Sequence, residues 1–244
     1  MSLLPTLSTH PSYPARAPVK VADWMIEDPD YKPTDYTASS VWAQPSWAHP
    51  INLNDAQLSA VRAANFTCPI RQDGMVLNPQ GRTGMTGRGL LGKYGANYAA
   101  DAVVMCWDSE TKMMMMIAIQ RGDTGQWAIP GGMVDFKESA LAAARRELKE
   151  EAGVELDVPG LMAYHGYVKD PRNTDLAWME TTCYAFELKS MNDATLRAGD
   201  DAVNTAWIPM DESDERFSKL FANHKEFAIR AKQVLMESYQ HARA

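Results

Sequence analysis

Apolar stretches with the length of β-strands recur through the second half of the chain. The first two, at 102–107 and 113–120, are separated by the polar, turn-like residues 108–111. Short apolar runs bounded by turn signals are typical of buried strands. The same pattern predicts further strands at 162–168, 181–188 and 205–208. This half of the chain is therefore expected to form a β-sheet that includes antiparallel hairpins.

Two segments have the composition and spacing of helices. Residues 138–152 are rich in Ala, Leu, Glu, Lys and Arg, and Gly153 follows as a stop signal. Residues 215–244 also predict a helix, with apolar positions at Phe221, Phe227, Ile229, Val234, Leu235 and Tyr239. Residues 127–132 (WAIPGG) predict a loop, because proline and paired glycines interrupt regular structure. Strands alternating with helices favour an α/β sandwich around a mixed sheet.

The first part of the chain differs in texture. Residues 1–98 are rich in Pro, Gly, Tyr and Trp, and they predict irregular segments and short strands. We expect a smaller N-terminal domain over 1–98 and a catalytic domain over 99–244. The stretch 78–95 holds six glycines and three basic residues. It is compatible with a loop that cradles phosphate, and equally with a series of structural turns.

Composition narrows the classes of partner. The 244 residues carry a net charge of −7, so no general attraction to nucleic acid or to an anionic membrane is expected. The longest apolar run, 113–119, is too short to span a bilayer. The three cysteines are widely spaced and predict buried reduced thiols. An acidic protein that binds a polyanion needs local positive charge, and Arg82 and Arg88 are candidates for it, or alternatively for bracing a domain interface.

The candidate chemistry lies on the first predicted helix. Glu147, Glu150 and Glu151 stand at i, i+3 and i+4, which places their side chains on one helix face. Three like charges so close repel one another, and a bound divalent cation removes that repulsion. Hard carboxylate oxygens suit Mg²⁺ or Mn²⁺. Taken alone, the same residues are also compatible with an ordinary solvated face.

The spacing around these glutamates resolves the ambiguity. Gly132, five residues, Glu138, seven residues and then 146–154 (RELKEEAGV) match the Nudix signature at every fixed position. A chance match has odds on the order of one in a billion, given average residue usage. The segment therefore resembles the Nudix hydrolases. The resemblance implies that Glu147, Glu150 and Glu151 bind metal, that Arg146 orients a ligand carboxylate, and that Gly132 and Gly153 permit two turns. We expect Glu138 to stabilise the helix start through the helix dipole.

Segments outside the signature narrow the resemblance. Four of them are similar to the animal mitochondrial ADP-ribose pyrophosphatases and to the related C-terminal domain of melastatin-type cation channels: 78–97, 127–135, 166–181 and 198–202. This similarity implies substrate contacts at Asp170, Arg172 and Asn223, with Phe221 left to stack where the channel domain has a tyrosine. Arg172 is alternatively half of a loop-bracing ion pair with Asp170 or Asp175. Asp200 and Asp201 are candidates for a general base, or an acidic surface turn.

The resemblance implies Mg²⁺-dependent hydrolysis of ADP-ribose to AMP and ribose 5-phosphate, with the substrate between the two domains. One alternative is a module that binds ADP-ribose without cleaving it, although intact Arg-Glu and Glu-Glu pairs favour catalysis. Another is a pyrophosphatase acting on a different dinucleotide or on a nucleoside-diphosphate sugar. We expect a monomer or homodimer that binds this small molecule and neither nucleic acid nor membrane. A cytoplasmic location is expected, with a mitochondrial one as the alternative.

Overall fold

The computed structural model describes residues 9–199 and 202–241, and its contacts define two units. Unit 1 is Met1–Asn97 with Tyr167–Met179, and unit 2 is Tyr98–Gly166 with Glu180–Ala244. Unit 2 begins one residue before the predicted domain start at 99. The segment Tyr167–Met179, which follows that start by many residues, nevertheless makes its contacts in unit 1. The residues that the sequence nominated at 170 and 172 therefore belong to unit 1.

Unit 1 contains more regular structure than its composition predicts. Its elements are β1 (Thr34–Thr37), α1 (Ser39–Trp42), α2 (Asp55–Ala64) and β2 (Met85–Gly89). Helix α2 was not predicted, although Asn54 and Gln57 form a capping box at its start. Strands β1 and β2 pair in parallel. A small apolar core joins Val61 of α2 to Val76, Ala96 and Trp178.

A seven-stranded sheet is formed mostly by residues of unit 2. Its strands are β3 (Gly95–Asp108), β4 (Met113–Arg121), β5 (Trp127–Ala128), β6 (Gly131–Met133), β7 (Leu161–Tyr167), β8 (Ala177–Glu187) and β9 (Ala202–Pro209). The path β5-β4-β3-β8-β7 runs through the sheet, with β6 paired to β3 and β9 paired to β4. The five predicted strands are confirmed, although β3 begins seven residues and β8 four residues before the predicted start.

The predicted loop at 127–132 is wrong in part. The short strands β5 and β6 occupy its two ends, because Ala128 pairs with Ile119 and Gly132 with Ala100. Pairing with neighbouring strands overrides the local proline and glycine signals here. Only Ile129 and Pro130 stay outside strands. The loop between two predicted strands is in this way tied to both β3 and β4.

The helix that carries the glutamates, α3 (Ala140–Ala152), covers this sheet. Its buried residues, among them Ala144 and Leu148, pack in one core cluster with Val104 of β3 and Ile117 of β4. The apolar face is therefore fixed on the sheet, and the glutamates are constrained by helical geometry. The α/β architecture with a mixed sheet that the sequence predicts is confirmed.

The C-terminal segment is two helices rather than the single helix predicted. Helix α4 (Glu215–Ser218) and α5 (His224–His241) are separated by a break. Ala222 has a left-handed φ of 47°, and the Phe221 amide donates to the Trp127 carbonyl at 2.8 Å. These interactions replace helical hydrogen bonds. Within the described residues, no helix is both long enough and apolar enough to cross a membrane.

Candidate active site

Arg146 of α3 binds two of the three predicted metal ligands, Glu147 and Glu150, together with Glu138. Its Nη1 donates to Glu147 Oε1 at 2.7 Å and to Glu150 Oε2 at 2.9 Å. Its Nε and Nη2 donate to the two oxygens of Glu138 at 3.0 and 2.9 Å. A further bond from Nη2 reaches the Met133 carbonyl at 2.9 Å. One guanidinium thus organises three acidic side chains and ties α3 to the end of β6.

The start of α3 is capped by Ser139, the neighbour of Glu138. Ser139 is the N-cap, and its hydroxyl accepts from the Ala142 amide at 3.2 Å. Glu138 lies one residue before the cap and pairs with Arg146, which lowers the pKa of its carboxyl. It remains ionised and supports the arginine. Glu138 is therefore an ion-pair partner of Arg146 that lies next to the helix start without capping it.

Two glycines bring the backbone of the preceding loop against the glutamates. The Gly131 amide donates to Glu151 Oε2 at 2.9 Å. A Cβ at Gly132 would lie 2.4 Å from the carboxyl carbon of Glu147. Gly132 has no left-handed φ, so its role is close approach and not the turn that was expected. Gly153 does end α3 in the left-handed conformation, with φ 71°.

Burial makes the inner two glutamates reluctant to ionise. It raises the pKa of Glu151 to about 7, and the charges of Glu147 and Asp101 add to this, while the Gly131 amide acts in the opposite direction. Burial likewise raises the pKa of Glu147, against the effect of Arg146. The pKa of Arg146 is raised by its bonds to Glu138 and Glu147. The site therefore concentrates negative charge that is only partly balanced by the protein itself.

The donor set of this site fits a divalent cation. Within residues 9–199 and 202–241, no three Asp, Glu, His or Cys side chains form a ready-made metal cage. Mg²⁺ commonly binds through one or two carboxylates, with water and substrate phosphate completing an octahedron. Glu147 and Glu151 are one helical turn apart, Glu151 is buried and Glu147 partly buried, and the charge of Glu147 adds to the raised pKa of Glu151. A cation offsets this charge, so the chemistry of the residues is compatible with Mg²⁺ or Mn²⁺.

Several residues near Glu151 were not nominated from the sequence. The positive charge of Arg121 partly offsets the rise in the pKa of Glu151 that burial causes. The same guanidinium lies 4.5 Å from the centre of the Phe221 ring. Arg121 also pairs with Asp123 at 2.7 Å. Asp101 is buried and accepts from the Thr181 hydroxyl at 2.6 Å. No sequence pattern marked Arg121 or Asp101 as part of the site, because only the assembly of the sheet brings these residues close to α3.

The segment between α4 and α5 contains two further candidate residues of unit 2. Phe221 is buried in the core cluster that contains Leu148, where it underlies Arg121. Asn223 is also buried, and its amide donates to Glu226 Oε2 at 2.7 Å. Next to it, His224 Nδ1 accepts from the Ile129 amide at 2.9 Å, which attaches the loop before β6 to α5. His224 is thus a structural link between the two segments.

In unit 1, Asp170 and Arg172 form a two-pronged ion pair. Arg172 donates through Nε and Nη2 to the two Asp170 oxygens at 2.8 and 2.7 Å. The Arg172 amide donates to Asp170 Oδ1 at 2.8 Å as well. A quarter of the arginine side chain is exposed, against 3% for the aspartate. The geometry contains the loop-bracing pair anticipated for Asp170 and still presents the guanidinium to solvent.

The glycine-rich stretch has a structural role in unit 1. Arg82 donates to the carbonyls of Val21 and Ile26 at 3.1 and 3.0 Å, and Arg88 donates to those of His49 and Gly92 at 2.6 and 2.7 Å. Only 1% of Arg88 is exposed. These contacts favour internal bracing of unit 1 over phosphate binding for both arginines. Asp200 and Asp201 lie outside the described residues.

Comparison with known proteins divides the chain near residue 97 as well, although the matched NUDIX domain is continuous and includes Tyr167–Met179. A model of the NUDIX domain matches residues 97–230, and a model of the NUDT9-like N-terminal domain matches 17–95. The mitochondrial ADP-ribose pyrophosphatase of Rattus norvegicus is 37% identical over 87% of this chain and 71% of its own length. A nudix hydrolase of Caenorhabditis elegans is 38% identical over 92% of this chain and 90% of its own.

A third relative is a much longer protein. A transient receptor potential cation channel, subfamily M member-like 2, of Nematostella vectensis is 40% identical over 77% of this chain. The matched region is only 15% of the channel. The two family models together account for most of the chain, and one of them contains the whole of α3. The chain belongs to the Nudix hydrolase family and carries a NUDT9-like N-terminal domain.

Proposed function

We propose that this protein hydrolyses the pyrophosphate bond of ADP-ribose to give AMP and ribose 5-phosphate in the presence of Mg²⁺. The observation that carries the proposal is the Arg146-centred set of carboxylates on α3, in a chain of the Nudix family. The activity for which a relative is named supports ADP-ribose as the substrate. The rat relative is an ADP-ribose pyrophosphatase and covers most of the chain.

The residues of α3 have separate roles in this proposal. Glu147, Glu150 and Glu151 would hold the cation, which would supply activation of the attacking water and stabilisation of charge on the phosphoryl oxygens. Arg146 keeps Glu147 and Glu150 oriented through its two Nη1 bonds. Gly131 fixes Glu151 by its amide. Water forms the new P–O bond as the bridging P–O bond breaks, and Asp200 and Asp201 remain candidates for the base that removes its proton.

Substrate binding is assigned to Asp170, Arg172, Asn223 and Phe221. Arg172 is suited to a phosphate or to ribose hydroxyls, because its planar donors are already oriented by Asp170. Phe221 offers only the apolar ring under Arg121. We further propose a cytoplasmic location, with a mitochondrial one as the alternative, and a monomer or homodimer. Imaging of a tagged protein and light scattering test these two points.

A side-by-side turnover panel tests the activity and the substrate together. The protein is incubated with ADP-ribose, NADH or an ADP-sugar, with Mg²⁺ or with EDTA, and products are separated by chromatography. We expect AMP from ADP-ribose at the highest kcat/KM, and none with EDTA. Preference for another dinucleotide changes the substrate but keeps the chemistry. Tight ADP-ribose binding without AMP indicates a sensor and contradicts the proposal.

A further inference from the structure

Two side chains near the start of the described chain bind the backbone of the loop that carries Arg172. The Tyr13 hydroxyl donates to the Arg172 carbonyl at 2.9 Å. Arg16 donates through Nη2 to the carbonyls of Pro171 and Asn173 at 2.7 and 2.8 Å. Three consecutive carbonyls are therefore held by residues 155 to 159 positions earlier in the sequence. All five residues belong to unit 1.

Tyr13 is itself held firmly. The Leu90 amide donates to its oxygen at 2.7 Å, and its ring lies 5.0 Å from the ring of Tyr36. A Cβ at Gly89 would lie 2.0 Å from the Tyr13 oxygen, so only glycine admits the hydroxyl there. Burial raises the pKa of Tyr13 to about 12. The hydroxyl therefore keeps its proton at neutral pH and remains a donor to Arg172.

Arg16 is anchored in a similar way. Its Nη1 donates to the Thr83 carbonyl at 3.2 Å, and the amide of the next residue, Ala17, donates to the Gly84 carbonyl at 2.9 Å. A Cβ at Gly84 would lie 2.2 Å from the Ala17 oxygen. The N-terminal segment thus crosses the glycine-rich stretch at contact distance. Its glycines are required for that crossing.

The position of the Arg172 guanidinium depends on the backbone that these residues hold. Both the amide and the guanidinium of Arg172 donate to Asp170 two residues earlier. The Asn173 amide closes the same turn on the Asp170 carbonyl at 3.0 Å. A shift of the loop backbone therefore moves the guanidinium with it. Displacements of about 1 Å are enough to weaken binding or catalysis substantially.

We propose that Tyr13 and Arg16 are positioning residues for ADP-ribose binding, which act by holding the Arg172 loop in its binding conformation. They touch the loop backbone and are not catalytic residues. The inference rests on the proposed function, and it assigns a role to the N-terminal segment that the Nudix signature does not contain. The chemistry of the ligand is that of a phosphate-bearing sugar nucleotide recognised by a preset guanidinium.

Conservative variants test the proposal through KM and kcat. Tyr13→Phe and Arg16→Lys are expected to raise KM for ADP-ribose about 3- to 10-fold, the effect of losing a hydrogen bond, with kcat within about twofold of the original. Tyr36→Phe is the matched control, since the Tyr36 hydroxyl donates to the Ser12 carbonyl and, among the described residues, to none of the carbonyls of the Arg172 loop. Its KM should stay unchanged. Equal KM values in all three variants overturn the proposal.

A double-mutant cycle shows whether Tyr13 acts through Arg172. Arg172→Lys breaks the two-pronged pair and should raise KM by itself. If Tyr13 acts through this residue, Tyr13→Phe has no further effect in the Arg172→Lys background. Additive effects on KM contradict that route and overturn the positioning role. A general loss of stability would alter the melting temperature without producing this pattern.

Two further measurements separate failure of this inference from failure of the proposed function. Absence of AMP formation by the wild-type chain overturns the function alone, and ADP-ribose affinity measured by calorimetry in EDTA then decides the positioning role. Hydrogen exchange at the amides of Arg172 and Asn173 should speed up about fivefold in Tyr13→Phe, which corresponds to one lost hydrogen bond. Unchanged exchange and unchanged affinity overturn the inference, whatever the turnover.

Discussion

The acidic face of α3 and the Arg172 loop are both organised around an arginine, but by opposite means. Around Arg146, the acidic partners lie one, four and eight residues away in the sequence. Around Arg172, the ion pair is local, yet the backbone that supports it is bound from 155 to 159 residues away. Helical periodicity creates the first arrangement, whereas only the folded unit 1 creates the second. The sequence therefore predicts the arrangement around Arg146 but not the support of the Arg172 loop.

The largest effect is expected from removing a charge of the local arrangement. Glu150→Gln keeps the shape of the side chain and removes a proposed metal ligand. We expect kcat for ADP-ribose to fall about a thousandfold, equivalent to about 4 kcal/mol, with an unchanged circular dichroism spectrum. Glu155→Gln is the control, because that exposed carboxylate pairs only with Lys149 in the ion pairs of this helix end. Comparable turnover in the two variants contradicts the ligand assignment.

The support of the Arg172 loop by the N-terminal segment should be lost when a backbone contact of Tyr13 is blocked. Gly89→Ala places a methyl group in the Tyr13 hydroxyl at a left-handed φ of 57°. Strain and two lost hydrogen bonds should lower the free energy of unfolding by about 3 kcal/mol. Gly125→Ala has the same handedness, at φ 70°, but its Cβ meets nothing within 4 Å, so about 1 kcal/mol is expected. Equal losses in urea titrations would falsify the close-approach explanation.

A milder change tests the role of Arg146, which binds three carboxylates around α3. Arg146→Lys keeps the charge but cannot bind Glu138, Glu147 and Glu150 together, so kcat should fall about 10- to 100-fold. Arg145→Lys is the neighbouring control, since Arg145 donates to the Val158 carbonyl on a different part of the helix surface. The rates of the two variants are compared at saturating Mg²⁺. Loss of activity in both variants argues for a general weakening of α3.

The smallest effect concerns pH and unit 1. His49 Nδ1 accepts from the Tyr94 amide, and burial together with the charges of Lys93 and Arg88 lowers the pKa of His49 below 6.5. The unfolded chain therefore takes up the proton first. The stability from this histidine is present above pH 6.5 and is lost as the pH falls through that value. His49→Asn keeps an acceptor and should reduce the slope of melting temperature against pH between 7 and about 5.

Elements that depend on local interactions could be predicted from the sequence, whereas elements that depend on pairing between distant strands could not. The five strands and α3 follow from apolar runs and helical spacing, and they are confirmed. By contrast, β5 and β6 required pairing with β4 and β3, and the division of 215–244 into α4 and α5 required contact between Phe221 and Trp127. Helix α2 was missed although its capping box was readable at Asn54 and Gln57.

The sequence by itself determined which residues form the acidic helix face, and its resemblance to the Nudix signature indicated the reaction class. Residues one turn apart share a face wherever the helix lies, so spacing alone was sufficient to identify that face. Only the tertiary structure decided that the Gly131 amide binds Glu151, that Gly132 leaves no room for a side chain beside Glu147, and that Tyr13 and Arg16 hold the Arg172 loop. These contacts join distant parts of the chain, and no local pattern encodes them. The separation reflects the difference between helical periodicity and long-range packing.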